Sequence, residues 1–402
     1  MLYMEILRSK KHWFQVLKKI DMVLVWLGTA RRMGHSFFGQ LKFGEMNTKV
    51  TKVKLIAVLA FFCLGIRGEL LSGQEYKNLA PVVKNGNWIQ PAQGKPAQPV
   101  WGHGNGIRVG IAPMPGPRGL LRIYAPYLGH KEGKMINFIA FEPIPAGKTE
   151  RGFSELEMSK LDNVRGKRFW SANDSVCSEA LPEIYPASGV VQKINSVETL
   201  TVFIFSELFD NGARVYTRLR FFEDRPYEVE LTTNVCEDSK ELDSFILTAT
   251  MGNFARLRTL YLADSTKTSL DLWPGYRDVH FTLHDSTSGD EMIKDKSGGV
   301  YFIAAPNEEN PQIANYAPDT REHWKYYGGN ATQYWYCPRP DSQLMGLVNG
   351  RYTYWASKSP IPEGISFENF ELKTPFKNGG KLIFGISPLQ PSEFIQSIKA
   401  DE

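Results

Sequence analysis

Residues 102–143 hold the side chains best suited to chemistry. They run GHGNG, then IRVGIAPMPGPRGLLRIYAPYLGH, then a short basic loop, then MINFIAFEP. The pattern predicts three short strands joined by Gly/Pro turns. Between residues 119 and 125 the side chains alternate. Leu121, Ile123 and Ala125 point one way; Leu120, Arg122 and Tyr124 point the other. One face can join a core. The other presents a guanidinium and a phenol, with Tyr127 and His130 just beyond and His103 just before. Arginine pairs a carboxylate through two parallel hydrogen bonds. Tyrosine and histidine can pass protons. Together they suit a carboxylated sugar. Asn253 and Arg256, in TATMGNFARLR, are polar residues in an apolar setting and can also engage anions. The candidate catalytic set is therefore His103, Arg122, Tyr124, Tyr127, His130, Asn253 and Arg256.

Other groups are weaker candidates. Residues 316–339 are aromatic and polar, and end in HWKYYGGNATQYWYCPR. Sugar C–H faces stack on such rings, so Trp324, Tyr334 and Trp335 are candidate sugar-binding residues. His280 and His284 would share a face on a strand or on a helix, but no third metal ligand stands nearby. No metal site is assigned. A structural calcium would suit the expected fold, with no ligands named. Glu142, Glu155, Glu157, Glu368 and Glu371 are available for a paired-carboxylate hydrolase, but nothing in the sequence joins two of them. Phosphate loops, a nucleophile elbow and an EF-hand pattern are absent from the sequence.

The elements that position these groups read as strand after strand. Residues 200–207, LTVFIFSE, are almost continuously apolar and read as a strand buried on both faces. Residues 214–222 and 227–235 alternate and flank the turn Glu223-Asp224-Arg225-Pro226. The expected hairpin pairs Phe221 with Tyr227 and Leu219 with Val229. It also sets Arg220 and Arg218 against Glu228 and Glu230 as a solvated salt-bridge ladder. Residues 244–262 read as two strands broken at Gly252-Asn253, and the last stretch as three closing strands. The expected fold class is all-β: a large two-sheet antiparallel β-sandwich with long loops.

Composition bounds the rest. The chain has 402 residues, 42% of them hydrophobic, and a formal charge of +4. Residues 1–73 hold 12 of the 47 Lys/Arg and 4 of the 43 Asp/Glu, which leaves the remainder with a net charge of −4. No global basic field exists to attract nucleic acid. Residues 1–45 read as an extension from an over-called start or a disordered segment, since Met46 opens a second start. Residues 46–73 read as a signal peptide, with a basic run before LIAVLAFFCLG. Cleavage is expected near Gly68 or Gly73. Lipidation at Cys63 is disfavoured by the Phe61-Phe62 pair before it. Residues 74–100 read as an extended strap, and 101–402 as the catalytic sandwich. Neither the leader nor any later segment is long and apolar enough to span a membrane. The mature chain would keep Cys177, Cys236 and Cys337, enough for one disulfide and one thiol, and its expected place is secreted or periplasmic.

The runs PRGLLRIYAPYLG, MINFIAFEPI, RGFSELE, TATMGNFARLR, YWASKSPIPEG and FENFEL resemble a group of secreted proteins from polysaccharide-degrading gene clusters of marine Bacteroidetes, and among these the ulvan lyases. The resemblance implies a lyase acting on an anionic polysaccharide that alternates sulfated rhamnose with glucuronate or iduronate. Such an enzyme neutralises the uronate carboxylate, removes the C5 proton and expels the 4-linked oxygen. The expected protein is thus a monomeric secreted polysaccharide lyase, with an anionic polysaccharide as its partner. The alternatives are a two-carboxylate glycoside hydrolase and a non-catalytic carbohydrate-binding protein.

Overall fold

The structure, a computed structural model, describes residues 82–92, 99–111, 118–126, 134–177, 188–252, 255–306, 332–354 and 358–400. They belong to one compact unit, Leu71–Glu402. Two antiparallel sheets, of ten and eleven strands among the described residues, face each other without closing into a barrel. Strands are numbered in chain order. The ten-stranded sheet runs β1 (Val82–Asn85), β2 (Trp88–Pro91), β3 (Val100–His103), β4 (Arg108–Ile111), β5 (Leu120–Ala125), β6 (Lys134–Pro145), β12 (Leu242–Thr250), β20 (Ser366–Pro375), β19 (Met345–Arg351) and β15 (Asp285–Ser288). The second runs β14 (Thr266–Thr268), β13 (Leu257–Tyr261), β17 (Val300–Pro306), β18 (Thr332–Cys337), β21 (Gly380–Ser387), β11 (Glu228–Val235), β10 (Val215–Phe222), β9 (Val197–Ser206) and β7 (Phe169–Ala172). On its flanks β16 (Ile293–Lys294) pairs with β17 and β8 (Val190–Ile194) with β9.

The core lies between the sheets and follows the expected alternation. Leu121, Ile123 and Ala125 of β5 meet Phe141, Leu247 and Leu372 from neighbouring strands and Leu219, Leu231 and Phe384 from the facing sheet. Burial of each of the leucines, isoleucine and phenylalanines contributes about 1.5–3 kcal/mol. On the other face of the ten-stranded sheet Leu120 and Tyr124 form a second cluster with Met135 and Phe138. Both faces of this sheet are therefore covered around β5.

Three expectations change. The segment read as a strap contains the β1–β2 hairpin, which forms an edge of the first sheet. The β10–β11 ladder pairs Leu219 with Leu231 and Arg220 with Glu230, two residues away from the expected register. A two-residue shift keeps every side chain on its face. It arises because the turn is longer than four residues: the Arg225 amide donates to the Phe222 carbonyl, the Glu228 amide donates to the Arg225 carbonyl, and Tyr227 stays in the turn. Glu230 then serves Arg218 and Arg220 at 3.7 Å each and Lys381 at 3.6 Å. The third change is the presence of two helices. A short helix α1 (Ser269–Leu272) follows β14, and a ten-residue helix α2 (Pro391–Ala400) ends the described chain, where only strands were expected.

Cys177 and Cys236 form a disulfide that spans 59 residues, and Cys337 is a buried thiol. Among the described residues no helix is long and apolar enough to cross a membrane. Residues 1–81, with the expected leader and Cys63, lie outside the described residues.

Candidate active site

The outer face of the ten-stranded sheet, away from the core, is polar where a covered sheet is usually apolar. Its strand register sets the geometry. Thr248 of β12 lies between Ala140 of β6 and Glu371 of β20. Asn369 of β20 lies opposite Asn349 of β19. His284 immediately precedes β15, whose first residue Asp285 pairs with Val348. That places His284 beside Asn349. Residues of the same parity share a face, so Glu142, Thr248, Glu371, Asn349 and His284 all rise from the outer side.

A continuous polar chain joins them. The Thr248 hydroxyl donates to Oε1 of Glu142 at 2.7 Å. One nitrogen of Arg151, Nη1, donates to Oε2 of Glu142 at 2.9 Å and to Oε2 of Glu371 at 3.0 Å. The two carboxylates thus lie within about 6 Å of each other. Nε2 of His284 bonds the other oxygen of Glu371 at 2.9 Å, and Asn349 Nδ2 borders the same ring nitrogen at 3.4 Å. A carboxylate only accepts, so when Nε2 donates to Glu371 the neutral ring keeps its lone pair on Nδ1, and the longer Asn349 Nδ2 contact is then not a hydrogen bond. Exposure grades along the chain: the side chains of Glu371 and Glu142 are 1% and 6% exposed, Arg151 24% and His284 36%.

The loop that brings Arg151 here depends on Gly119. The segment after Arg151 continues the sheet beside β6: the Ser154 amide donates to the Phe141 carbonyl, and the Phe141 amide donates to the Ser154 hydroxyl. Gly119 has φ +72°, and a Cβ there would lie 1.8 Å from the Ser154 carbonyl oxygen. Only glycine permits that approach.

Burial, then the nearby Glu371, push the Glu142 carboxyl up to about 7, against the pull of Arg151 and Thr248. For Arg151 burial works against the charge, but Glu371 and Glu142 together hold its pKa above the ordinary value. A second glutamate on β20, Glu368, is fully buried and also pushed up to about 7; Arg351 only partly offsets the burial. Its Oε2 has no hydrogen-bond partner among the described residues. Burial raises Glu155 as well. Glu142 and Glu368 hold protons in the folded chain at pH values where the unfolded chain, near 4.5, has lost them. Stability is therefore expected to fall as pH rises from about 4.5 to about 7 and then to level off. Each group contributes on the order of 3 kcal/mol to that fall. Urea unfolding at pH 5 and pH 8 checks this, and Glu142→Gln and Glu368→Gln should each flatten the slope.

The sequence-based candidates separate. Arg122 and Tyr124 stand on this outer face, as expected, but both are buried and engaged by neighbours. Arg256 is buried at the turn from β12 to β13, in the left-handed region at φ 52°. His103 is not part of the site. It faces the core side, where Nε2 bonds the Phe222 carbonyl at 2.9 Å and the ring packs on Trp88 at 4.5 Å. Burial lowers its pKa. Trp335 is not a sugar platform either: it is fully buried between the sheets and donates to the Phe370 carbonyl. Tyr334 is buried under α2, packed on Phe394, with its hydroxyl donating to Glu228 at 2.7 Å. Tyr127, His130, Asn253 and Trp324 lie outside the described residues. His280 is 83% exposed and is not joined to the cluster that holds His284. Among the described residues no group of three His, Cys, Asp or Glu side chains could hold a metal.

Arg151, Thr248 and Asn349 were not singled out from the sequence. The readable signal was a glutamate inside each of two apolar strands, Glu142 in MINFIAFEP and Glu371 in FENFEL. A charge there demands a partner.

No family model matches the chain, and no curated protein matches it. A solved structure described as "Crystal Structure Analysis of HI1317" aligns over 77% of this chain and 98% of its own at 11% identity, but its TM-score of 0.25 supports no conclusion about fold or function.

Proposed function

We propose that the protein is a secreted polysaccharide lyase that cleaves a uronate-containing, sulfated polysaccharide of the ulvan type by β-elimination. The observation that carries the reading is the His284–Glu371 dyad: a solvent-reachable imidazole held by a buried carboxylate on the polar face of a rigid sheet. Nδ1 of His284 takes the C5 proton of the uronate. The electron pair of that C–H bond forms the C4–C5 double bond, and the C4–O bond breaks. The departing oxygen gains a proton from the imidazolium or from water. Glu371 orients the ring and stabilises its charged form. The disulfide Cys177–Cys236 suits an oxidising compartment, which supports secretion.

A glycoside hydrolase is the second reading, favoured by the short separation of Glu142 and Glu371. The network argues against it: Glu371, 1% exposed, is already engaged by Arg151 and His284, and Glu142 by Arg151 and Thr248. Incubation with ulvan decides between them. Ultraviolet absorbance that rises together with reducing ends is the lyase result. Reducing ends without absorbance mean hydrolysis, and the appearance of neither overturns both enzyme readings.

A further inference from the structure

Arg351 ends β19 two residues beyond Asn349. Its side chain leaves the same outer face about 7 Å along the strand from the His284 row. The guanidinium lies over the Phe281 ring at 5.1 Å, and Phe281 sits directly across from it in an isolated bridge. Arg351 is 7% exposed and Phe281 48%. Among the described residues Arg351 makes no ion pair and no side-chain hydrogen bond, and its buried Nε has no partner. Burial lowers the pKa of Arg351; among the described residues Glu368 alone opposes this, and burial keeps that carboxyl partly protonated near neutral pH. A cation this buried normally has an anion.

We infer that Arg351, backed by Phe281, is an oxyanion subsite that holds a carboxylate or sulfate ester of the sugar polymer beside the ring that His284 deprotonates, a role that rests on the lyase reading. The guanidinium edge can donate two parallel hydrogen bonds to an oxyanion. The exposed Phe281 ring can take the C–H face of the same sugar. A ligand there supplies a counter-charge that, among the described residues, only the half-protonated Glu368 offers.

The test is retention in gels that contain ulvan, desulfated ulvan or carboxyl-reduced ulvan. The parent chain carries His284→Ala so that the polymer stays intact, and Arg351→Met and Arg351→Lys are added to it. Arg351→Met is expected to weaken retention in native ulvan at least tenfold. That difference should vanish in the one polymer that lacks the bound anion: desulfated if the anion is a sulfate ester, reduced if it is a carboxylate. Arg351→Lys should recover part of the loss. Equal retention of parent and Arg351→Met in native ulvan, or a loss that is the same in all three polymers, overturns the subsite. If Arg351→Met does not fold, Arg351→Lys carries the comparison with the same criteria. Unchanged retention alongside normal cleavage by the His284-bearing chain overturns the subsite alone. Arg351-dependent retention without any cleavage leaves the subsite standing and overturns the lyase reading.

Discussion

His284→Ala is expected to lower kcat/KM for polymer cleavage roughly 10²- to 10⁴-fold, the usual contribution of a positioned general base. Stability should change little, because the side chain is more than a third exposed and makes one hydrogen bond to Glu371. His284→Gln can still donate to Glu371 but offers no basic nitrogen, so it should be as inactive as the alanine variant. Glu371 acts through the ring and is a positioning residue. Glu371→Gln should lower kcat more than it raises KM. Initial rates of ultraviolet absorbance across pH 5–9 read all three variants. Full activity in His284→Ala would remove the dyad from the mechanism.

Arg151→Met is the change expected to cost most stability, about 3 kcal/mol at pH 8. One guanidinium nitrogen serves both Glu142 and Glu371. Its loss leaves two buried carboxylates together without a cation, and breaking a buried pair from one side is the costly way to break it. Burial and Glu371 already push Glu142 up to about 7. At pH 5 it can take a proton, so the same variant should lose less there. Glu142→Gln added to Arg151→Met should recover part of the loss, since the residues share one network and their effects do not add. Urea midpoints of the two single variants and the double variant, at both pH values, form the check. Additive losses at pH 8 would mean that the three groups do not act as a unit.

Period-two alternation made the strands legible. The two faces of β5 and the break between β12 and β13 came out as read, because side-chain parity is set locally. What the chain does not encode locally is which parities meet. Glu142, Thr248, Glu371 and His284 are joined only by the strand order β6-β12-β20-β19-β15, in which the β6–β12 and β12–β20 pairings join residues about a hundred or more positions apart. The same lack misplaced Trp335 and Tyr334. Alternation puts them on opposite faces, but nothing in TQYWYC says that one face meets the other sheet and the other meets α2. Helix α2 itself is only ten residues long, too short for its periodicity to stand out against the strands before it. The β10–β11 slip shows the limit of pairing arguments. Two registers with the same parity satisfy the charge pattern almost equally, and the turn chose between them.

The order of strands in the site-bearing sheet also sets when the site can exist. Glu142 is made early in synthesis, Thr248 midway, and Glu371 within the last stretch of the chain. A nascent polypeptide that lacks β20 has neither the dyad nor the strand that seats against β12. Pairings this distant cannot zip up from a hairpin and close slowly. Loss of even a few dozen C-terminal residues would leave the early strands with an unfilled slot and His284 without Glu371.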